Sequence, residues 1–411
     1  MWSIRRPARA DSAKHSRNDP SMPSNHSRRL ASILNLHDLD RVAKRHLPRP
    51  LYGYIANVAE DGHTGRANRS AFEAYAFLPR ALVDVSNISL ETELLGQRYA
   101  LPIGIAPMGI SALSAYRGDL VQAQAAAKAG IPMILSGSSL IRMEDVLNNG
   151  KTDWFQAYLP GDESGIEALI ERVRSAGFDK LVITVDYPVP PNSDNNTRSG
   201  FSSPLRPSLR LAYDGLIRPR WLFGTFLRTL INHGMPHFEN NYATRGVAIL
   251  SGNVKRDFSG RSHLNWRYLE LVRRLWPGKL VIKGVLHPDD ARRSRDAGAD
   301  ALIVSNHGGR QLDGTLSALE ALPDVVEAVS ELPVMVDSGF RRGTDVLKAL
   351  ALGARMVFIG RPFNYAAAYA GEAGVSHAID LLGAELQRDM ALLGLTRIED
   401  VTRQCLVNNK K

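Results

Sequence analysis
The sequence has a single cysteine, Cys405. An internal disulfide is therefore excluded, no cysteine cluster is available for zinc or an iron–sulfur centre, no metal site is expected, and a reducing compartment is the default. No apolar run reaches the ~20 residues needed to span a bilayer, and the first thirty residues hold none long enough for a secretory signal. No G-x-G-x-x-G follows a predicted strand, which disfavours a doubly wound dinucleotide fold. What is present is globular: 44% of the residues are hydrophobic and 23% charged, so a fibrous or wholly disordered chain is ruled out. A length of 411 residues fits one large decorated barrel or two medium domains.

The net charge of +9 is confined to two places. Residues 1–30 carry Arg5, Arg6, Arg9, Lys14, Arg17, Arg28 and Arg29 against Asp11 and Asp19. Residues 201–250 carry Arg206, Arg210, Arg218, Arg220, Arg228 and Arg245 against Asp214 and Glu239. The rest of the chain is formally neutral. A nucleic-acid-binding domain would carry its basic residues through the fold or along one helix, so no nucleic acid partner is expected. Residues 1–30, rich in Ser, Pro and Arg, read as a disordered basic tail, although their composition also resembles an organelle transit peptide.

From about residue 100, short β-branched runs alternate with amphipathic helical stretches, the pattern of a parallel sheet buried on both faces. Candidate strands are 101–106, 132–136, 154–158, 181–185, 280–283, 301–305, 334–337 and 356–359. Eight of them predict an α/β fold, a (β/α)8 TIM barrel with an N-terminal helical extension and a long insertion after strand 4, about 188–261. Residues 31–411 are expected to form one domain. Helices at 39–46 and 50–59 and a hairpin around Gly96 would close the bottom or side of the barrel.

Catalytic groups of a barrel belong at strand C-termini, and polar residues recur there: Ser136, Gln156 and Tyr158, Thr184 and Asp186, Lys283, Ser305-Asn306-His307, Asp337-Ser338-Gly339 and Gly360-Arg361. After strands seven and eight, glycines and arginines precede helix starts (Gly339, Arg341, Arg342, Gly343; Gly360, Arg361). Close backbone approach, free N–H groups and bidentate charge suit a phosphate there, against the plainer reading of helix capping and solvated arginines. The run S-N-H-G-G-R-Q-L-D at 305–313 supplies a base, His307, and a carboxylate anchor, Arg310, in one loop. Asp186 is placed to orient the imidazole. No Ser or Cys nucleophile motif accompanies them, which counts against hydrolysis.

With D-S-G-F-R-R-G-T-D-V-L-K-A-L-A-L-G-A at 337–354 and F-I-G-R-P at 358–362, this run resembles the FMN-dependent L-2-hydroxy acid dehydrogenases and oxidases, the family of glycolate oxidase, L-lactate dehydrogenase and mandelate dehydrogenase. Further support comes from L-P-R-P-L-Y-G-Y-I-A-N-V-A-E-D-G at 47–62, I-A-P-M-G at 105–109, F-Q-A-Y at 155–158 and T-V-D-Y-P at 184–188. The resemblance, covering about 47–393, implies FMN as cofactor and oxidation of a lactate-like L-2-hydroxy acid to the 2-oxo acid. Its phosphate would rest on Gly339, Arg341, Gly360 and Arg361, with Asp337 near the ribitol. Pro107, Met108, Ser136, Gln156 and Thr184 would contact the ring system or ribitol, and the Lys283 charge would favour the reduced flavin. Arg310, assisted by Tyr54 and Tyr158, would hold the substrate carboxylate. His307, steadied by Asp186, would take a proton from the hydroxyl or, by a carbanion route, from Cα. Gly109, rather than an alanine, resembles the dehydrogenase type that passes electrons to a quinone or cytochrome. The alternatives are an oxidase using oxygen and a non-catalytic flavin-binding or scaffold relative. A type 2 isopentenyl diphosphate isomerase would share the last two loops but not the His307/Arg310 pair.

Two features bear on details. Ser193 stands where the family carries a substrate-binding arginine, which leaves the identity of the acid open; Arg198 lies in the same loop as a candidate replacement. Residues 216–236 interleave arginines with Trp221, Phe223 and Phe226. They suit either an interfacial helix on anionic lipid, as in membrane-associated relatives, or a helix packed on the barrel or a neighbouring subunit. The expected location is cytoplasmic or peripheral on the inner face of the plasma membrane, and the resemblance implies a homo-oligomer, a tetramer.

Overall fold
Eight short strands pair in parallel: β1 (Ile103–Ile105), β2 (Ile134–Ser136), β3 (Trp154–Ala157), β4 (Lys180–Thr184), β5 (Lys279–Val285), β6 (Ala301–Val304), β7 (Val334–Val336) and β8 (Met356–Ile359). β8 pairs with β1, and the sheet meets itself where Ile105 N donates to the Pro132 carbonyl at 2.9 Å beside an Ile105–Met133 bridge. The expected (β/α)8 barrel is thus present, with strand limits within about two residues of those read from the sequence. This computed structural model describes residues 29–202, 208–251 and 261–409. The expected basic tail falls outside them except for Arg29, which packs over the Tyr369 ring at 4.8 Å, and Leu30.

The strands alternate faces as β geometry requires. Ile134, Trp154, Val182, Val281, Ile303, Met335, Met356 and Phe358 fill the barrel interior, while Leu135, Phe155, Leu181, Ile183, Leu280, Ile282, Val304, Val336 and Val357 face the helices. Gly104 is small because a Cβ there would meet the Phe358 ring at 2.5 Å. The antiparallel hairpin Thr92–Leu94/Gln97–Tyr99 adds Leu94 and Tyr99 to the interior layer, and Trp154 Nε1 donates to Tyr99 Oη at 3.2 Å. The hairpin therefore plugs the end remote from the strand C-termini.

The N-terminal extension forms helices Leu36–His46 and Arg49–Ala56. The second ends three residues before the expected limit of 59, because Asn57 turns to an extended ψ of 140°. The carbonyls released there are taken by two arginines from across the barrel mouth, described below. The insertion after β4 contains helices Asp194–Ser199 and Leu209–Leu216, then a helical run from Pro219 to His233 that widens into a π-turn over Leu222–Leu227.

Candidate active site
The strand C-termini open into a cavity of about 420 Å³. Every cavity residue named from the sequence lines it: Tyr54, Pro107, Met108, Gly109, Ser136, Gln156, Tyr158, Thr184, Lys283, His307, Arg310, Asp337, Gly339, Arg341, Gly360 and Arg361. Asp186 alone stands back from the wall, behind His307.

One end of the cavity is cationic and short of anions. Arg361 donates to the carbonyls of Ile55, Asn57 and Gly308, and Arg341 to that of Phe340. Burial lowers the pKa of both guanidiniums, that of Arg361 to about 10 with Arg310 adding to the effect. Among the described residues neither has a carboxylate partner. Beside them helices start at Gly343 and Arg361, but the N–H groups of Arg341 and Arg342 donate to Asp345 Oδ2 and that of Gly343 to Glu385 Oε2, so at the first of these starts the structure bears out the plainer reading of helix capping. Gly339 holds φ +94°, and a Cβ on it would lie 2.1 Å from the Asn68 carbonyl, so this loop closes only with glycine.

The floor is polar. Lys283 Nζ lies 3.1 Å from Asp337 Oδ2 and 2.9 Å from Ser305 Oγ. Burial opposes its charge, yet Asp337 and Asp186 hold its pKa above the ordinary lysine value. Gln156 Nε2 and Thr184 Oγ1 are buried without hydrogen-bond partners. Buried polar atoms left without partners are rare in finished folds and point to a missing group. A ribitol phosphate joined to a planar ring with carbonyl and imine edges suits both features: phosphate for the guanidiniums, ring and ribitol for the amide, hydroxyl and ammonium. The residues present fit FMN.

At the other end, His307 Nδ1 donates to Asp186 Oδ1 at 2.9 Å. Burial alone would raise the Asp186 carboxyl, but His307 and Lys283 hold it below the usual carboxylate range, so it is ionised at neutral pH. With Nδ1 committed as donor, Nε2 is the acceptor; it faces the cavity and Tyr158 Oη at 3.3 Å. His307 is itself in the left-handed region (φ +57°), held by its N–H to Ser305 Oγ at 3.0 Å, while Gly308 N donates to Ser338 Oγ at 3.0 Å. The loop is fixed from the extension as well. Asn306 and Asn68 exchange amide hydrogen bonds at 2.8 Å each way, and Asp313 accepts from His63 N and Thr64 N at the start of the His63–Ser70 helix.

Arg310 Nη1 donates to the carbonyls of Tyr54, Ile55 and Asn57, and its guanidinium lies 5.0 Å from the Tyr54 ring centroid. Together with Arg361 it gathers the carbonyls at the end of the Arg49–Ala56 helix, where positive charge is favoured. Ser193 lines the cavity and accepts from Asn57 Nδ2 at 3.1 Å. Arg198 does not fill its place: it is exposed, turned away from this cavity and paired with Asp194 at 3.2 Å, because it falls on the outer face of the Asp194–Ser199 helix. Residues not singled out from the sequence are also here. Tyr187 stacks edge-on against Tyr158, and Asn57 and Asn196 line the wall beside Ser193. Asn57 and Tyr187 fall inside the 47–62 and 184–188 motifs without being singled out there, and nothing in the sequence pattern marked Asn196.

The 216–236 segment divides its aromatics. Trp221 is buried, donates from Nε1 to the Leu113 carbonyl at 2.8 Å and stacks on Phe226, whereas Phe223 and Ile231 are exposed. Its neighbours Leu209, Tyr213 and Leu216 are exposed too. Trp221 therefore anchors the segment to the barrel and is not part of an interfacial face. Among the described residues no helix is long and apolar enough to cross a membrane.

Two anions, a cofactor phosphate and a substrate carboxylate, suit the charges of this cavity, Arg341 and Arg361 for the one and Arg310 for the other, with the proton acceptor His307 on the same wall. That is the layout of a flavin-phosphate barrel oxidoreductase. The model for the FMN-dependent dehydrogenases matches residues 43–408. An L-lactate dehydrogenase of Stenotrophomonas maltophilia is 40% identical over 378 residues, covering 90% of this chain and 98% of that protein. An L-lactate oxidase of Nostoc is likewise 40% identical, over 90% of this chain and 97% of that one. A crystal structure described as the monotopic membrane protein (S)-mandelate dehydrogenase superposes with a TM-score of 0.82 at 36% identity, covering 92% of this chain and 99% of that one. The chain belongs to the FMN-dependent dehydrogenase family, and FMN is its cofactor.

Proposed function
We propose that the protein oxidises an L-2-hydroxy acid of lactate type to the 2-oxo acid and passes the electrons to a quinone or cytochrome. The observation that carries this reading is the His307–Asp186 contact at 2.9 Å, which leaves a proton-accepting Nε2 in the same cavity as Arg310. FMN, when bound, supplies the two-electron acceptor for the substrate. Gly339, Arg341, Gly360 and Arg361 would hold its phosphate, Asp337 its ribitol, and Pro107, Met108, Gly109, Ser136, Gln156 and Thr184 would surround its ring system or ribitol. Lys283 would provide positive charge that favours the reduced flavin.

Arg310 commits only Nη1 to backbone carbonyls, so its remaining N–H groups are available to the substrate carboxylate, with Tyr54 and Tyr158 beside it. His307 Nε2 accepts the proton of the substrate hydroxyl, and the ionised Asp186 stabilises the imidazolium that results. The acceptor reading rests on Gly109, the residue that resembles the dehydrogenase type; a Cβ there would lie 2.9 Å from Ser138 Cβ and 3.5 Å from Tyr54 Oη, so Ser138 leaves room for glycine and an alanine would force a shift of the wall. The exposed Leu209, Tyr213, Leu216 and Phe223, flanked by the exposed Arg210 and Arg220, suit docking on anionic lipid, where a quinone is reached. The protein binding no better to anionic than to neutral liposomes at low salt would remove that part.

The purified protein should be yellow and bleach anaerobically on adding L-lactate or another L-2-hydroxy acid. Colour without bleaching by any such acid would overturn the reading. The similarity to an L-lactate oxidase supports a second reading, oxygen as acceptor; oxygen uptake matching the rate with a soluble quinone would favour it.

A further inference from the structure
One stretch of cavity wall has no part in the scheme above. Asn57 is 1% exposed yet lines the cavity, and its Oδ1 has no hydrogen-bond partner. Its Nδ2 is spent on Ser193 Oγ at 3.1 Å. Asn196 lines the same cavity, its buried Oδ1 also lacks a partner, and its N–H donates to the Ser193 carbonyl at 3.0 Å. The three side chains thus form one patch, anchored on the end of the Arg49–Ala56 helix and the start of the Asp194–Ser199 helix. It adjoins Arg310, whose Nη1 reaches the Asn57 carbonyl at 3.3 Å. Leaving a buried amide oxygen without a partner is costly, and two in one cavity wall call for a ligand group that supplies hydrogen-bond donors.

We propose that Asn57, Ser193 and Asn196 form a subsite for a second hydroxyl group of the substrate, making the preferred substrates 2,3-dihydroxy acids. The patch carries no formal charge, so it offers nothing to neutralise a second carboxylate or an ammonium group. Its unpartnered acceptors are the two amide oxygens, both covered as the cavity stands, so a hydroxyl reaches them with a turn of the amide. Ser193, which already accepts from Asn57, keeps its own O–H to donate. A hydroxyl both donates and accepts, so it satisfies Asn57 whichever way the amide is turned. A methyl or phenyl group in the same place would leave the oxygens unpaired. Because the patch adjoins the carboxylate anchor, only a substituent on a carbon close to the carboxylate can reach it.

This inference rests on the proposed function, and one pair of acids separates the two. L-glycerate is L-lactate with one hydroxyl added at the third carbon. In anaerobic stopped-flow bleaching of the holoenzyme, L-glycerate should exceed L-lactate in the second-order rate by at least about 10-fold, since a site built to bond a hydroxyl rejects the analogue lacking it. Asn57→Ala and Ser193→Ala should each lower that ratio several-fold. The second variant is included because the Asn57 carbonyl also holds Arg361, whereas the Ser193 side chain bonds neither arginine. L-lactate equal to or faster than L-glycerate would overturn the subsite while leaving hydroxy acid oxidation intact. Equal losses for both acids in the two variants would make the patch a carboxylate partner and overturn it likewise. Bleaching by neither these two acids nor any other L-2-hydroxy acid would instead be a failure of the proposed function.

Discussion
At the phosphate end of the cavity, Gly339, Arg341, Gly360 and Arg361 come from the ends of two adjacent strands, β7 and β8, each running straight into a helix. At the substrate end, Tyr54 and Asn57 come from the helical extension, Tyr158 follows β3, Asp186 and Ser193 follow β4, and His307 and Arg310 follow β6. The residues of the first end lie in two short local runs of glycine and arginine that follow strand-to-helix turns, although Gly339 packs on the Asn68 carbonyl and Arg361 is steadied by those of Ile55 and Asn57. The second is assembled from four separated segments. Its shape depends on long-range contacts such as Asn68–Asn306 and the Asp313 carboxylate at the start of the His63–Ser70 helix. The contrast suggests a division of labour, in which one end holds the cofactor and the other selects the acid and moves its proton. Variants that act at one end should therefore affect the other much less, the Ile55 and Asn57 carbonyls shared by Arg310 and Arg361 being the link between them.

After that of His307→Ala, the largest effect is expected from Asp186→Asn. Its amide cannot stabilise an imidazolium as the ionised carboxylate does, so the rate of anaerobic bleaching should fall by about 100-fold or more with flavin content unchanged. Loss of flavin in this variant would break the division. Next is Gly339→Ala, whose Cβ would collide with the Asn68 carbonyl at 2.1 Å. It should weaken FMN binding by about 10–100-fold, the scale of losing one or two charge-assisted hydrogen bonds, as read by flavin released on dilution. Once saturated with added FMN, it should recover most of its bleaching rate, the remaining loss reflecting the Asn68 brace on the His307 loop and staying well below that of Asp186→Asn.

The smallest effect is expected outside both ends. Asp119 is buried between the loops after β1 and β2, with Oδ2 unpartnered, and burial pushes its carboxyl up to about 7. The folded state holds this proton more tightly than the unfolded chain. The stability it contributes is complete below the ordinary carboxylate pKa and is lost as pH rises through about 7. Asp119→Asn should therefore shrink the fall in Tm between pH 5 and pH 8 by roughly a few degrees, with bleaching by L-lactate unaltered. A slower bleaching rate would tie Asp119 to the substrate end.

The barrel was legible because strands buried on both faces appear as continuous apolar runs such as Ala301–Val304 and Met356–Ile359, whatever their partners. The cofactor end was legible for the same local reason. The end of the Arg49–Ala56 helix was not, since Arg310 and Arg361, some 250 and 300 positions away, take its carbonyls. Nor could spacing alone tell that Trp221 turns inward to the Leu113 carbonyl while Phe223 two residues on faces out. Asn57, Ser193 and Asn196 become a patch only once two helices distant in sequence are packed together.

The central claim is that His307 does the proton chemistry at the substrate end without contributing to the hold on FMN. The direct measurement is anaerobic stopped-flow bleaching of purified His307→Ala, alongside its flavin content. Full flavin content with bleaching by L-lactate and L-glycerate slowed by about 1,000-fold or more is the predicted result. Bleaching within tenfold of the unaltered protein, or loss of the flavin itself, would contradict it.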